Sequence, residues 1–125
     1  MWLCTKHGFF SIVEKLPGEF HIRARVKRDI ENLKALAEIK RAVISTPDAD
    51  YRYRLVVNKV EVLAALTCLG NEIDYSNFKS KIGKTEDQRD KLDAYHESWG
   101  VMAKVQRGHR DGRRLPFVSA RTGDR

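Results

Sequence analysis

The chain has 125 residues, of which 24 are Lys or Arg and 17 are Asp or Glu, so its formal net charge is +7. This length favours one domain, because a second independent core would need roughly 50 further residues. The composition, 42% hydrophobic and 33% charged, excludes a largely disordered chain, and the longest apolar stretch is far shorter than the roughly 20 residues that span a bilayer.

The first part of the chain predicts a β-hairpin. Aromatic and β-branched residues from Phe9 to Lys15 predict a strand, and Pro17 followed by Gly18 predicts a turn. The next segment, Phe20 to Lys27, alternates apolar and polar residues, which is typical of a strand with one buried face. The residues expected on its polar face are His21, Arg23, Arg25 and Lys27.

A helix and two strands are predicted to follow the hairpin. Asp29 is placed to cap a helix that extends to about Lys40, and strands are predicted from Ala42 to Thr46 and from Tyr51 to Val57. Period-two alternation in the second of these strands places its tyrosines on the face opposite its arginines. The two sets are Tyr51, Tyr53, Leu55 and Val57 on one face and Arg52, Arg54 and Val56 on the other.

The second half of the chain predicts helices. Asn58 and Glu61 have the spacing of a capping box, which predicts that a helix begins there. A short helical turn is predicted from Asp74 to Lys81, and Thr85 with Gln88 predicts a second capping box and a further helix. We expect the apolar stripe of that helix to be buried, Trp99 included. The stripe consists of Leu92, Tyr95, Trp99 and Met102.

Together these elements predict an α+β fold. The expected architecture is a two-layer sandwich, in which a mainly antiparallel sheet of three to four strands carries the two main helices on one face. A ferredoxin-like arrangement is compatible with this pattern, which does not define the strand order. Residues 1–103 are predicted to form a single α+β domain, and residues 104–125 a basic, mobile C-terminal tail.

Most of the net charge lies in this tail. Residues 1–103 contain 17 Lys or Arg against 15 Asp or Glu, whereas residues 104–125 contain 7 against 2. Basic tails commonly contact nucleic acid phosphates or other polyanions, but they also keep proteins soluble, and the composition fits both roles. The candidate phosphate contacts in the tail are Arg107, Arg110, Arg113 and Arg114.

The basic strand faces form a second candidate surface for polyanions. If the two arginine-bearing strands are neighbours, their cations share one surface, as in sheets that bind single-stranded RNA or DNA through phosphate contacts and stacking. Two alternatives remain. The charges only solvate this face, or Asp50 pairs with Arg52 and Arg54 in a network, joined by Asn77 and Lys79, that fastens the C-terminal helix to the sheet. The candidate nucleic-acid-binding residues of the domain are Arg23, Arg25, Lys27, Arg52, Arg54 and Lys79.

The sequence contains no recognisable catalytic or metal-binding motif. A nucleophile elbow, a P-loop, an H-E-x-x-H motif and a dinucleotide-type glycine cluster are all absent, so we expect no enzymatic activity and no cofactor. Cys4 and His7 have the spacing of two metal ligands, but no second pair follows, and we expect no metal site. Cys4 and Cys68 are expected to be free thiols of a cytoplasmic protein, because we identify neither a signal peptide nor a membrane segment.

Six short segments of the chain form a combined pattern. They are Met1–Leu3, Gly8–Ser11, Ile22–Arg25, Asp50–Arg54, Asn77–Lys79 and Trp99. This pattern, which falls within residues 1–105, resembles that of a group of short proteins from bacterial chromosomes and their phages. The resemblance implies a compact single-domain protein of mobile-element origin, and it brings with it no activity and no catalytic residue.

Two functional hypotheses follow from the sequence. The first is a small, non-enzymatic binding module that contacts nucleic acid or another polyanion through its basic strand faces and tail. The second is a protein-interaction adaptor or phage-type inhibitor that docks on a host protein, with Trp2, Trp99 and the apolar segment Leu115–Val118 as anchors. The first is preferred because of the net charge.

Overall fold

The computed structural model describes residues 1–110 and 113–114. The strands are β1 (Trp2–Thr5), β2 (Gly8–Leu16), β3 (Glu19–Ala24), β4 (Ile44–Ser45), β5 (Tyr53–Val57), β6 (His109–Arg110) and β7 (Arg113–Arg114). The α-helices are α1 (Lys27–Ala37), α2 (Lys59–Asn71), α3 (Phe78–Lys84) and α4 (Leu92–Arg107), with a 3₁₀ turn at Arg89–Lys91. Strands β1 to β5 form one antiparallel sheet in the order β1-β2-β3-β5-β4, and β6 pairs with β7.

The fold is α+β, as predicted, but its main sheet has five strands rather than three to four. The predicted hairpin is present as β2 and β3, and Gly18 in its turn has a φ of 79°, which favours glycine. Strand β1 was not predicted. It is held to β2 by a tight turn in which the Thr5 hydroxyl accepts hydrogen bonds from the amides of His7 and Gly8, both at 3.1 Å.

Helices α1 and α2 cover one face of the main sheet and form the core with it. The element order is not that of a ferredoxin-like fold, because three strands precede the first helix. Burial of these side chains supplies the main driving force for folding. The core includes Phe10, Ile12, Ile22 and Leu55 from the sheet, Ile30 and Leu33 from α1, and Val62, Ala65 and Leu69 from α2.

One of the two predicted capping boxes is present. Asn58 and Glu61 cap α2 reciprocally, with both hydrogen bonds at 2.9 Å. The second box, Thr85 with Gln88, was a wrong prediction: α4 begins only at Leu92, and Gln88 is completely buried. A polar side chain that is needed in the interior is not available as a cap.

Asp29 is likewise a buried anchor rather than the predicted helix cap. Helix α1 begins at Lys27, and the Asp29 carboxylate accepts hydrogen bonds from the Phe9 amide (3.2 Å), the Gln88 amide group (3.2 Å) and the Lys91 ammonium group (3.0 Å). These contacts join β2 and α1 to the segment that leads into α4. Among the described residues, the Asp29 carboxylate therefore accepts hydrogen bonds from one charged and two neutral groups, and Nε of Arg28 lies 3.9 Å from it.

Helix α4 does not bury the stripe that its sequence predicts. Of that stripe, Tyr95 is buried, but Trp99 is 61% exposed and Met102 is 64% exposed, so the expectation that Trp99 is a core residue was wrong. The helix continues to Arg107, so the first four residues of the predicted tail are helical. No helix of the described residues is long and apolar enough to cross a membrane.

Candidate nucleic-acid interface

Strands β3 and β5 are neighbours, and this brings two of the predicted arginines together. Arg23 of β3 and Arg54 of β5 are direct cross-strand partners in the antiparallel register. Both alternate with core residues, Arg23 following Ile22 and Arg54 preceding Leu55, so both lie on the sheet face that α1 and α2 leave uncovered. One central row of this face therefore contains two neighbouring positive charges.

Tyr51 connects Arg23 with Arg25. The guanidinium carbon of Arg23 lies 4.6 Å from the centre of the Tyr51 ring, and that of Arg25 lies 4.3 Å from it. The sequence predicted Tyr51 on the face opposite the arginines. That prediction was wrong, because β5 begins at Tyr53 and strand alternation does not extend back to Tyr51. We refer to Arg23, Arg25, Arg54 and Tyr51 as the arginine patch.

Hydrogen bonds fix the guanidinium groups of the patch. Arg23 donates to the Ser11 hydroxyl at 2.7 Å, and Arg25 donates to the backbone carbonyl of Asp50 at 3.0 Å. Arg54 donates to Nδ1 of His21 at 3.2 Å. Since each guanidinium has five N–H donors, most of the donors in the patch have no partner within the described part of the chain, and these include the buried Nε atoms of Arg23 and Arg54.

The Arg54 contact defines the tautomer of His21. A guanidinium can only donate, so Nδ1 of His21 accepts and the ring proton lies on Nε2, which donates to the Glu19 carboxylate at 3.0 Å. Glu19 is thus joined to Arg54 only through a neutral imidazole. It does not neutralise the guanidinium by direct contact.

No carboxylate of the described residues lies within 4.0 Å of a guanidinium of the arginine patch. Elsewhere in the described part of the chain, the Lys and Arg side chains that form ion pairs are Lys6, Arg28, Arg41, Lys81 and Lys91. The alternative in which Asp50 pairs with the arginines was wrong, because Asp50 contributes its carbonyl and not its carboxylate. Asn77 does not join such a network either, since it caps α3 by accepting from the Ser80 amide at 2.9 Å.

The remaining predicted site residues lie in other elements. Lys27 is the first residue of α1 and not part of β3, which corrects its predicted place on the strand face. Arg52 is exposed and directly precedes β5. Lys79 belongs to α3, where its ammonium nitrogen lies 3.0 Å from Nδ1 of His96. The tail candidates are Arg107 at the end of α4, Arg110 in β6, and Arg113 and Arg114 in β7; the segment Leu115–Val118 lies outside the described residues.

Trp2 is an aromatic residue of this surface that the sequence did not place. It pairs with Ser11, which pairs with Arg23, so one row of the sheet runs from Trp2 to Arg54. The indole is 74% exposed and meets the Phe9 ring edge-on, with 6.2 Å between the ring centres. The turn between Thr5 and Gly8 is the sequence signal from which β1, and with it the position of Trp2, could have been predicted.

The two cysteines are free thiols, as expected. Burial raises the pKa of the Cys4 thiol, so this group is a poor nucleophile near neutral pH. In the part of the chain that the structure describes, no group of three or more His, Cys, Asp or Glu side chains is arranged to hold a metal ion.

Comparison with known proteins adds no functional assignment. No protein family matches the chain, and neither a curated protein nor a solved structure is significantly similar to it.

Proposed function

We propose that this protein binds nucleic acid or a related polyanion through the arginine patch. The observation that carries the proposal is the cross-strand pair of Arg23 and Arg54, which no carboxylate neutralises by direct contact among the described residues. Like charges directly opposite each other destabilise a sheet. The pair of Arg23 with Arg54 thus costs stability and leaves guanidinium N–H donors unpaired among the described residues, and both features are typical of a surface that binds anions.

The geometry of the patch suits phosphate. Guanidinium groups bind phosphate oxygens with two parallel N–H bonds, and stacking against the Tyr51 ring restricts the planes of Arg23 and Arg25 before a ligand arrives. These are phosphate contacts rather than contacts to base edges. We therefore expect strongly salt-dependent binding with little sequence preference, to which the basic tail adds charge.

Fluorescence anisotropy with labelled oligonucleotides tests this function. We expect the full-length chain to bind, and the double variant Arg23→Gln/Arg54→Gln to bind roughly 10-fold or more weakly, because two phosphate contacts are lost. Arg41→Gln is the matched control, since Arg41 already forms a bidentate pair with Glu61 (2.9 and 2.8 Å). Equal loss of affinity in the control and in the double variant would contradict a role for the patch.

The exposed apolar side of α4 favours docking on a protein as a second candidate function. Besides Trp99 and Met102, Val101 and Val105 are exposed on this helix, and exposed apolar patches that include an aromatic anchor are typical of interfaces. A 1:1 complex with a purified partner that is lost in Val101→Ser/Val105→Ser, but not in Arg23→Gln/Arg54→Gln, would establish this function instead.

A further inference from the structure

Two adjoining cavities lie between the sheet and α4. The first has a volume of ≈ 390 Å³, and its lining includes the aromatic residues Trp2, Phe9, Tyr51 and Tyr95. Arg25 also lines it. Because Arg25 and Tyr51 belong to the arginine patch as well, this cavity opens directly beside the patch.

The second cavity continues the first towards α3. Its volume is ≈ 420 Å³, and its lining includes Lys79 and Trp99. Three residues line both cavities, namely Cys4, Tyr95 and Ser98. We refer to the two cavities together as the groove; it runs from Arg25 at one end to Lys79 at the other.

A cation lies at each end of the groove. Arg25 and Lys79 form no ion pair with a carboxylate of the described chain. Arg25 donates a hydrogen bond to the Asp50 carbonyl, and the Lys79 ammonium group donates one to Nδ1 of His96. The Lys79 ammonium group also lies 4.5 Å from the centre of the Trp99 ring. Between these ends the lining includes the ion pair of Asp29 with Lys91 and six aromatic side chains, namely Trp2, Phe9, Tyr51, Phe78, Tyr95 and Trp99. Cations at the ends and aromatic rings between them suit a polymer that alternates anionic groups with flat apolar ones.

Tyr95, which lines both cavities, has a polar group without a partner in the described part of the chain. The Tyr95 hydroxyl is buried and makes no hydrogen bond to the described residues. Burial also raises the pKa of Tyr95, so the hydroxyl stays protonated and can donate. A buried, unpaired hydroxyl is uncommon in a folded protein. Because this one is closed to solvent, a ligand in the groove would reach it only if the Tyr95 side chain moved.

We propose that the groove holds a single strand of nucleic acid. Its phosphates would contact the arginine patch and Lys79, and its bases would stack on the exposed indole of Trp2 and on that of Trp99. On Trp99 a base would replace the His96 ring, which stacks on the indole with 5.9 Å between the ring centres. Unpaired bases can enter an aromatic groove, whereas the bases of a duplex are stacked inside the helix. This inference rests on the proposed function and deepens it, because it selects single strands over duplexes and adds residues outside the patch.

The test compares a labelled oligothymidylate of about 12 nucleotides with a hairpin duplex of similar charge. We expect Trp99→Ala and Lys79→Gln each to weaken single-strand binding, Trp99→Ala by roughly 10-fold, and to leave duplex binding unchanged. Val105→Ala is the matched control, since Val105 is exposed on α4 but does not line the groove. Trp99 is exposed, so its replacement leaves the core intact.

A second readout follows the indole directly. In the variant Trp2→Phe, Trp99 is the remaining tryptophan, and we expect oligothymidylate to quench its fluorescence as binding saturates. One outcome would contradict the groove and leave the proposed function intact. In that outcome the protein binds both oligonucleotides and Arg23→Gln/Arg54→Gln abolishes both interactions, but Trp99→Ala binds normally and oligothymidylate does not quench the indole fluorescence. If the protein binds neither oligonucleotide, both proposals fail.

Discussion

Arg23 and Arg54 lie directly opposite each other on neighbouring antiparallel strands, and each guanidinium is anchored by a neutral partner, the Ser11 hydroxyl and the His21 imidazole respectively. Elsewhere in the described chain, ion pairs bind Arg28 to Asp90 and Arg41 to Glu61. The arginine patch differs from these structural pairs because no carboxylate of the described residues lies within 4.0 Å of its guanidinium groups; we therefore propose it as the site for an external anion.

Arg54→Gln should separate binding from stability. The change removes a hydrogen bond to His21 but also relieves a like-charge contact with Arg23, so we expect the free energy of unfolding to change by less than about 1 kcal/mol. Affinity for an oligonucleotide should nevertheless fall. Urea denaturation and anisotropy on the same preparation check this. A large loss of stability would show that Arg54 has a structural role.

Gly8→Ala should destabilise the fold strongly. A Cβ at this position would lie 2.5 Å from Cβ of Asp29, and Gly8 has a φ of 155°. We expect a loss of about 2–4 kcal/mol, because the buried Asp29 cannot move away without breaking its hydrogen bonds. Gly18→Ala is the control: its φ is also positive, but nothing lies within 4 Å, so it should cost only about 1–2 kcal/mol. Equal losses in the two variants would mean that steric contact with Asp29 is unimportant.

The contact between Asp29 and Lys91 should show strong coupling. Asp29→Ala removes the carboxylate that pairs with the Lys91 ammonium group, whose remaining hydrogen bond to the described residues in this buried region is the one to Gln88 Oε1. We expect this variant to cost about 3–5 kcal/mol. Lys91→Met should also destabilise, and the double variant should be considerably less destabilised than the sum of the two. Urea denaturation of the four proteins measures the coupling. Additive losses would contradict a specific pair.

Acid should weaken the link between the β1–β2 turn and the end of α2. The His7 hydrogen bond and the Lys6 charge lower the pKa of Glu72, and the Lys6 hydrogen bond lowers the pKa of Asp74. Both carboxyls therefore bind a proton less readily in the folded state than in the unfolded state. The stabilisation that these carboxylates provide is complete above their ordinary pKa values, 4.5 for Glu72 and 3.8 for Asp74. It is lost as the pH falls below those values.

Thermal unfolding between pH 6 and pH 3 tests this linkage. On acidification, the unfolding temperature of the variant Lys6→Met should fall less than that of the parent protein. The reason is that, without Lys6, the pKa values of Glu72 and Asp74 are lowered less in the folded state. Lys15→Met is the control, since Lys15 is exposed and forms no ion pair with the described residues. An identical pH dependence of the Lys6 variant and the parent would contradict the assignment.

Local signals predicted the elements whose determinants lie close together in the sequence. The turn at Gly18 defined the β2–β3 hairpin, and the reciprocal hydrogen bonds of Asn58 and Glu61 defined the start of α2. The same logic failed for Asp29 and Gln88. Each was predicted to cap a helix, but tertiary contacts between residues 59 positions apart take both side chains into the interior.

The site was predictable only in part, because it depends on which strands are neighbours. Alternation placed Arg23 and Arg54 on polar faces, but their direct pairing is a property of the sheet order. Tyr51 was assigned to the wrong face because the start of β5 could not be located to within two residues. Trp99 was expected in the core because an apolar stripe does not reveal whether another element covers it.

The salt dependence of oligonucleotide binding tests the central claim most directly. The full-length protein and the double variant Arg23→Gln/Arg54→Gln are titrated into a labelled oligothymidylate over a series of salt concentrations, with Arg41→Gln as the control. If the arginine patch binds phosphates, the double variant should bind more weakly and the slope of log K against log salt should be smaller in magnitude by about 1.4. The same affinity and the same slope in all three proteins would contradict the claim.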